Sequence, residues 1–191
     1  LRRIQARECG YFQATVRSRM ALNAAAWRGL TDVVRAGWTS LGLQMVRTDS
    51  LGQSYSLTGF AAYCSVNNNN LAAGNAVVST APTFQTPTGI VTATWTLTAA
   101  ANSMAFTVTP LPAGARLFAY MSPQRAAGRA FEADYRLIIV GAAATASPLV
   151  ATTAYAARLG TPVVANRIFA ALTVYAAGFE STPFLINQIV A

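Results

Sequence analysis

Between Asp49 and Arg116 the chain carries no charged side chain. An isolated soluble domain cannot face water over a third of its length with so little charge without self-associating. A lipid bilayer is not the answer. Asn67 to Asn70, Pro82, Pro87, Pro110, Pro112 and many threonines interrupt the stretch, and no apolar run reaches the 18 residues a spanning helix needs. No membrane span is expected. The stretch therefore predicts a surface covered by partner subunits, in a homo-oligomer or lattice. Composition agrees: 53% of residues are apolar and 10% charged, against about 25% charged in ordinary soluble domains.

The charges that remain are one-sided. All fourteen basic residues are arginine, and the net charge is +8. Arg2, Arg3 and Arg7 form a basic arm, and Arg17, Arg19, Arg28 and Arg35 follow in the helical region. Guanidinium groups suit bidentate contacts to carboxylates or phosphates, so these seven are the candidate contacts to an acidic neighbour or, nonspecifically, to nucleic acid. An arginine-only, alanine-rich composition is equally what a GC-rich genome produces. Base-specific reading is not expected: the apolar stripes turn Trp27 and Trp38 inward and leave only Gln44 as a base-reading amide on the second helix.

The periodicity changes near Thr80. Before it, Phe12, Val16, Met20, Ala24 and Trp27 recur at helical spacing over 11–28, and Gly29 stops the pattern. Thr31 and Asp32 open a second helix with Val34, Trp38, Leu41 and Met45 on one face. Thr58 caps a third, over about 59–69, that buries Phe60, Tyr63 and Val66. The asparagines 67–70 read as its C-cap and turn, and 72–80 as a linker or edge strand. After Ala81 the pattern is strands and turns, with strands expected over 90–97, 104–109, 116–121, 135–140, 167–175 and 184–190. Thr94 to Leu97 and Phe106 to Thr109 alternate polar and apolar residues, and 153–159 is the one later stretch with helical character. The expected class is α+β, with a helical segment over 1–80 and an antiparallel sandwich or barrel over 81–191. Trp27, Trp38 and Phe60 are the expected core of the first part; Trp95, Phe106, Phe118, Ile138 and Phe169 that of the second.

Chemistry-bearing groups are scarce. There is no histidine and no lysine, so the usual bases for a Ser or Cys nucleophile are missing. Cys9 and Cys64 follow no metal spacing and read as buried thiols. There is no phosphate-binding glycine loop. Glu132 and Asp134, beside Arg129 and Arg136, are the closest carboxylate pair. They could serve glycoside hydrolysis, but read better as a solvated ion-pair cluster at a turn. No enzyme, cofactor or metal is expected. No signal peptide is visible, and the sequence opens on Leu1 rather than Met.

The residues after Ala81 resemble immunoglobulin-like and fibronectin type III-like modules. The likeness is carried by Ala81-Pro82 at the opening, Trp95 in an early strand, and Asn166-Arg167-Ile168-Phe169 through Val174 to Gly178 and Ser181-Thr182-Pro183. The Cys–Trp–Cys spacing of antibody domains is missing. Trp27-Arg28-Gly29-Leu30-Thr31, Arg35 and Trp38, followed by Leu57-Thr58-Gly59-Phe60 and Asn67, resemble the helical start of small proteins of bacteriophage-type gene sets. These resemblances imply a virion structural protein, a capsid decoration, cement or minor capsid component contacting other virion proteins. The alternatives are a nonspecific nucleic-acid-associated protein and an extracellular adhesin or fibre subunit.

Overall fold

The computed structural model describes residues 2–98, 103–108, 111–143 and 148–191, without the side chains of 2–12, 98, 103–105 and 107–108. The protein is α+β, with helices concentrated in the first part and antiparallel sheets in the second. It divides into two compact units, Leu1–Gln85 with Ala177–Phe179, and Thr86–Ala176 with Glu180–Ala191. The segments 81–85 and 177–179 belong with the helical unit, although the sequence reading places both in the second part.

In the helical unit, α1 (Arg2–Arg28) runs 27 residues, through Gly10, and stops before Gly29, a length of about 40 Å. Arg35 closes it: the guanidinium donates to the carbonyls of Trp27 and Arg28 and lies 5.8 Å over the Trp27 ring. Helix α2 (Asp32–Gln44) starts after Thr31, whose hydroxyl makes no capping bond. A hairpin follows, β1 (Val46–Thr48) with β2 (Ser54–Ser56), and then α3 (Gly59–Ala72), where Thr58 does accept from Ala61 N. Trp38 (0% exposed), Leu41, Met45, Tyr63 and Val66 make the core, and Phe179 joins it. Trp38 meets Tyr63 edge-on at 5.0 Å and donates its indole N–H to Ser79 O at 2.6 Å. Gly42 is required where α2 meets the incoming chain: a Cβ there would lie 2.4 Å from Leu57 O. Phe60 corrects the expected core. It stays 37% exposed, with its ring tilted against Trp27 at 5.6 Å.

The four asparagines are a second correction. They lie inside α3 rather than after it, and each is held by a different partner. Asn67, fully buried, donates to Val78 O and accepts from Val78 N. Asn68 accepts from Asn23 of α1, Asn69 donates to Gly178 O, and Asn70 donates to Asn67. Asparagine is a weak helix former; here tertiary hydrogen bonds override the propensity. The segment 72–80 is not a strand.

The remaining elements are β3 (Ala93–Thr98), β4 (Ser103–Val108), β5 (Arg116–Met121), β6 (Arg125–Ala126), β7 (Arg136–Val140), β8 (Leu149–Val150), α4 (Thr152–Leu159), β9 (Asn166–Ala176), β10 (Phe179–Glu180) and β11 (Phe184–Ile189), all in the second unit except Phe179 of β10. Strands β3, β4 and β8 form a three-stranded sheet. In the six-stranded sheet β9 is the spine. Strands β5 and β11 both pair with Ala170 to Leu172, so they lie on its opposite edges; β6 continues the β5 edge and β7 flanks β5. One core joins both sheets: Trp95, Leu97 and Phe106 from the smaller, Leu117, Ala119, Met121, Ile138, Ile168, Ala170 and Leu172 from the larger, and Tyr155 from α4.

Phe118 and Phe169 are buried, at 0% and 4%, but outside that core. Strand alternation puts them on the opposite face of β5 and β9, where Phe118 stacks on Tyr175 at 5.1 Å. The larger sheet therefore buries side chains on both faces. Its β7 edge is blocked by Arg158 of α4, which donates to Leu137 O, a common protection for an open edge.

Candidate docking surfaces

The candidate contact arginines separate into three groups. The side chains of Arg2, Arg3 and Arg7 lie outside the described residues, although their backbone belongs to α1. Arg17 and Arg28 are exposed on α1 and Arg19 is half-buried. Arg35 is turned into its own chain, where it caps α1 and meets Asp32 at 3.4 Å. Its three guanidinium nitrogens reach two carbonyls and a carboxylate, which leaves it a structural side chain.

The apolar stripe of α1 runs past the core it feeds. Trp27 packs on Tyr63 at 5.4 Å and Asn23 is fully buried against α3. One turn further toward the N-terminus, Met20 is 40% exposed, and Val16 is 59% exposed. The stripe read from the sequence lies on one helical face, and its cover thins toward the N-terminus: Met20 Sδ still accepts from Asn68 of α3 at 3.4 Å, and Val16 beyond it is the more exposed. The hairpin adds to this surface. Every residue of β1 and β2 is exposed, with Val46, Tyr55 and, at the tip, Leu51 turned to water. The tip is nevertheless built: Asp49 accepts from the N–H groups of Leu51 and Gln53, and Gly52 takes φ +81°. The turn at Asp49-Ser50-Leu51-Gly52 is legible in the sequence; its two strands are not, because neither alternates between a buried and an exposed face.

In the second unit the Glu132–Asp134 pair is not the solvated cluster expected. Asp134 is exposed and pairs with Arg136 at 3.2 Å, but Glu132 is only 3% exposed. Its carboxylate accepts from Arg125 and from the backbone N–H groups of Ala133 and Asp134 at 2.9 and 3.0 Å, and it lies 3.5 Å from Arg129 Nε, whose own N–H is donated to Phe131 O. The Arg125 hydrogen bond, with help from those amides, holds the carboxyl down from the ordinary value near 4.5 to about 2. A group held so firmly ionised cannot donate a proton at neutral pH, which removes it as a glycosidase acid. Its work is structural, and the sign follows. A depressed native pKa stabilises the fold above the unfolded value, and that contribution fades as pH falls from about 4.5 toward 2. Glu132→Gln is expected to lower the thermal midpoint at pH 7. The gap to the parent should narrow between pH 4.5 and pH 2; a gap that stays constant down to pH 2 would contradict the assignment.

The Cys9 side chain lies outside the described residues, and the other shifted groups are buried, half-buried or hydrogen-bonded. Burial pushes the Cys64 thiol up, so it is less nucleophilic than a free thiol. Burial, and then the neighbouring Glu180, pushes the Tyr120 hydroxyl up; that hydroxyl donates to both Glu180 oxygens, and Thr173 donates to one of them at 2.8 Å. Among the described residues no cluster of His, Cys, Asp or Glu is placed to hold a metal, and no helix is long and apolar enough to cross a membrane. No family model, no curated protein and no solved structure matches the chain.

Proposed function

We propose that this chain is a non-enzymatic structural subunit of a virion: a capsid decoration, cement or minor capsid protein. The helical unit docks on neighbouring subunits, and the second unit is an immunoglobulin-like or fibronectin type III-like sandwich that presents a rigid module. The observation that carries the reading is the α1 stripe continuing as exposed Met20 and Val16 beyond its own core, in a unit that also holds out an apolar-tipped hairpin. Apolar surface of this kind marks subunit contacts. The scarcity of chemistry-bearing residues is consistent with it.

The test is light scattering after size exclusion, at low and high salt, with the 260/280 absorbance ratio recorded. The parent chain should run as a salt-resistant assembly free of nucleic acid. Val16→Asp with Met20→Asp should shift it to smaller species, because two charges on that stripe cannot be desolvated cheaply. A parent that runs as a single chain at every salt would overturn the docking role. Mass spectrometry of particles purified from the source culture tests the virion assignment itself, and absence of the chain there would remove it. The exposed Arg17 and Arg28 favour one competing reading, nonspecific nucleic-acid association. Its signature is nucleic acid carried at low salt and shed at high salt.

A further inference from the structure

The two edges of the six-stranded sheet differ. Arg158 closes the β7 edge. Along the other edge runs β11, which among the described residues pairs with β9 alone. Strand β3 of the smaller sheet approaches β11, and both put side chains into the shared core, but the two do not pair. A charge, a proline or a bulge commonly blunts an open edge, and β11 has none of them. Its register with β9 is unbroken from Phe184 to Ile189. Pro183 precedes the strand, and no charged side chain follows Glu180. Leu185 and Ile189 are 63% and 41% exposed, and Asn187 between them is exposed as well.

The direction of the β11 backbone groups follows from bonds at its end and on β9. Val190 N donates to Asn166 O at 2.8 Å, so the Val190 N–H points at β9. On β9, Phe169 turns the other way: its N–H donates to Ser122 Oγ and its carbonyl accepts from Ser122 N. These directions alternate along an antiparallel strand, so Ile168 and Ala170 face β11. Their direct partners there are Gln188 and Ile186. Leu185, Asn187 and Ile189 therefore direct N–H and carbonyl away from β9, in the plane of the sheet. Among the described residues no strand receives them. The three residues with exposed side chains are thus also the three with unpaired backbone groups.

We infer that β11 pairs antiparallel with β11 of a second copy of this chain, about a two-fold axis at Asn187, so that the larger sheet continues across both copies. This register sets Asn187 opposite the partner's Asn187, and Leu185 opposite the partner's Ile189. Opposed residues whose groups point at each other exchange two backbone bonds, and that holds here at Asn187 and at each Leu185–Ile189 pair. The exposed apolar side chains then cover each other on one face, with the Asn187 carboxamides meeting between them. A register shifted by two residues sets Leu185 or Ile189 against Asn187. A shift of one sets outward-pointing residues opposite residues already bonded to β9. A second copy is the occupant because the strand is its own complement, and from Ser181 to Ala191 it has no charge to repel its like. The inference rests neither on the virion assignment nor on the α1 stripe.

The experiment is light scattering over a concentration series on the full chain carrying Val16→Asp and Met20→Asp, which silences the α1 contact. This chain should still form a dimer, and the dimer should be insensitive to salt. Adding Asn187→Pro should weaken it about tenfold or more, because each copy loses an outward donor and strands the carbonyl opposite. That N–H makes no bond to β9, so the thermal midpoint should hold. Leu185→Lys, a charge on the edge, should weaken the dimer as well, and it decides the matter if the proline disturbs the fold. Cysteine oxidation reads the register. Direct partners lie about 5.5 Å apart between Cα atoms, within the reach of a disulfide at about 4.4–6.8 Å. Asn187→Cys should give a covalent dimer on mild oxidation; Leu185→Cys, which faces the partner's Ile189, and the parent with its own cysteines should not. A chain that is single once the α1 contact is silenced would overturn the pairing and leave the docking role of α1 standing. A dimer indifferent to both edge variants, or Asn187→Cys that links no better than Leu185→Cys, would overturn it equally.

Discussion

Gly178→Ala should destabilise the helical unit by about 2–5 kcal/mol, measured as a shift of its denaturant midpoint. Two costs combine. Gly178 has φ +91°, where an L side chain costs about 1–2 kcal/mol. Its added Cβ would also lie 2.4 Å from Val66 Cγ1. Val66 is fully buried in α3, and a β-branched side chain on a helix has essentially one rotamer to offer, so it cannot swing aside. The clash adds about 1–3 kcal/mol of overpacking. Gly74→Ala separates the two costs. Gly74 belongs to the same unit, has φ +76°, and a Cβ there meets nothing within 4 Å. It should lose only the backbone part. Equal losses at both positions would mean that Val66 does not wall off Gly178.

That pair of glycines also shows how far a sequence of this kind can be read. Gly178 is visible as a turn signal between two strands, and β9 and β11 flank it as antiparallel partners. Its contact with Val66 is not visible, since nothing local links positions 66 and 178. The same boundary recurs elsewhere. The strand Arg116–Met121 and the Thr58 cap follow from local chemistry and lie where turn spacing and capping place them. The helical run of asparagines does not follow, because its stabilising partners are Asn23, Val78 and Gly178. Phe118 and Phe169 are legible as buried, but a two-residue period does not say which of two buried faces is which.

The candidate surfaces divide along the same line. Arg129 at three residues before Glu132 is a visible pairing; Arg125, seven residues before it on β6, reaches the same carboxylate at a separation that no local spacing marks. Arg35 looks, in sequence, like one more cation of a basic arm. Only the turn at Gly29 brings it back over Trp27, where the carbonyls ending α1 offer it better acceptors than solvent. The exposed end of the α1 stripe is the reverse case. Period alone marks Val16, Met20 and Trp27 as one face, and cannot tell where the covering elements stop.

Trp38→Ala should cost the helical unit about 3–5 kcal/mol, the range for removing a large buried aromatic side chain. Trp38 is 0% exposed and sits between Leu41, Met45 and Tyr63, with the Tyr63 ring edge-on at 5.0 Å. Its removal opens a cavity that stiff neighbours such as Val66 cannot fill. Trp38→Phe divides the effect. A phenyl ring restores most of the volume and the edge contact, but has no N–H for Ser79 O, now 2.6 Å from the indole nitrogen. Ser79 is exposed, so water can satisfy the freed carbonyl, and the loss should fall to about 1–3 kcal/mol. Limited proteolysis distinguishes the two contributions. If the indole N–H pins the segment around Ser79, Trp38→Phe should quicken cleavage near Ser79 more than its modest stability loss accounts for. Parent-like cleavage in Trp38→Phe would mean that Asn67, through its two bonds to Val78, holds that segment without help from Trp38.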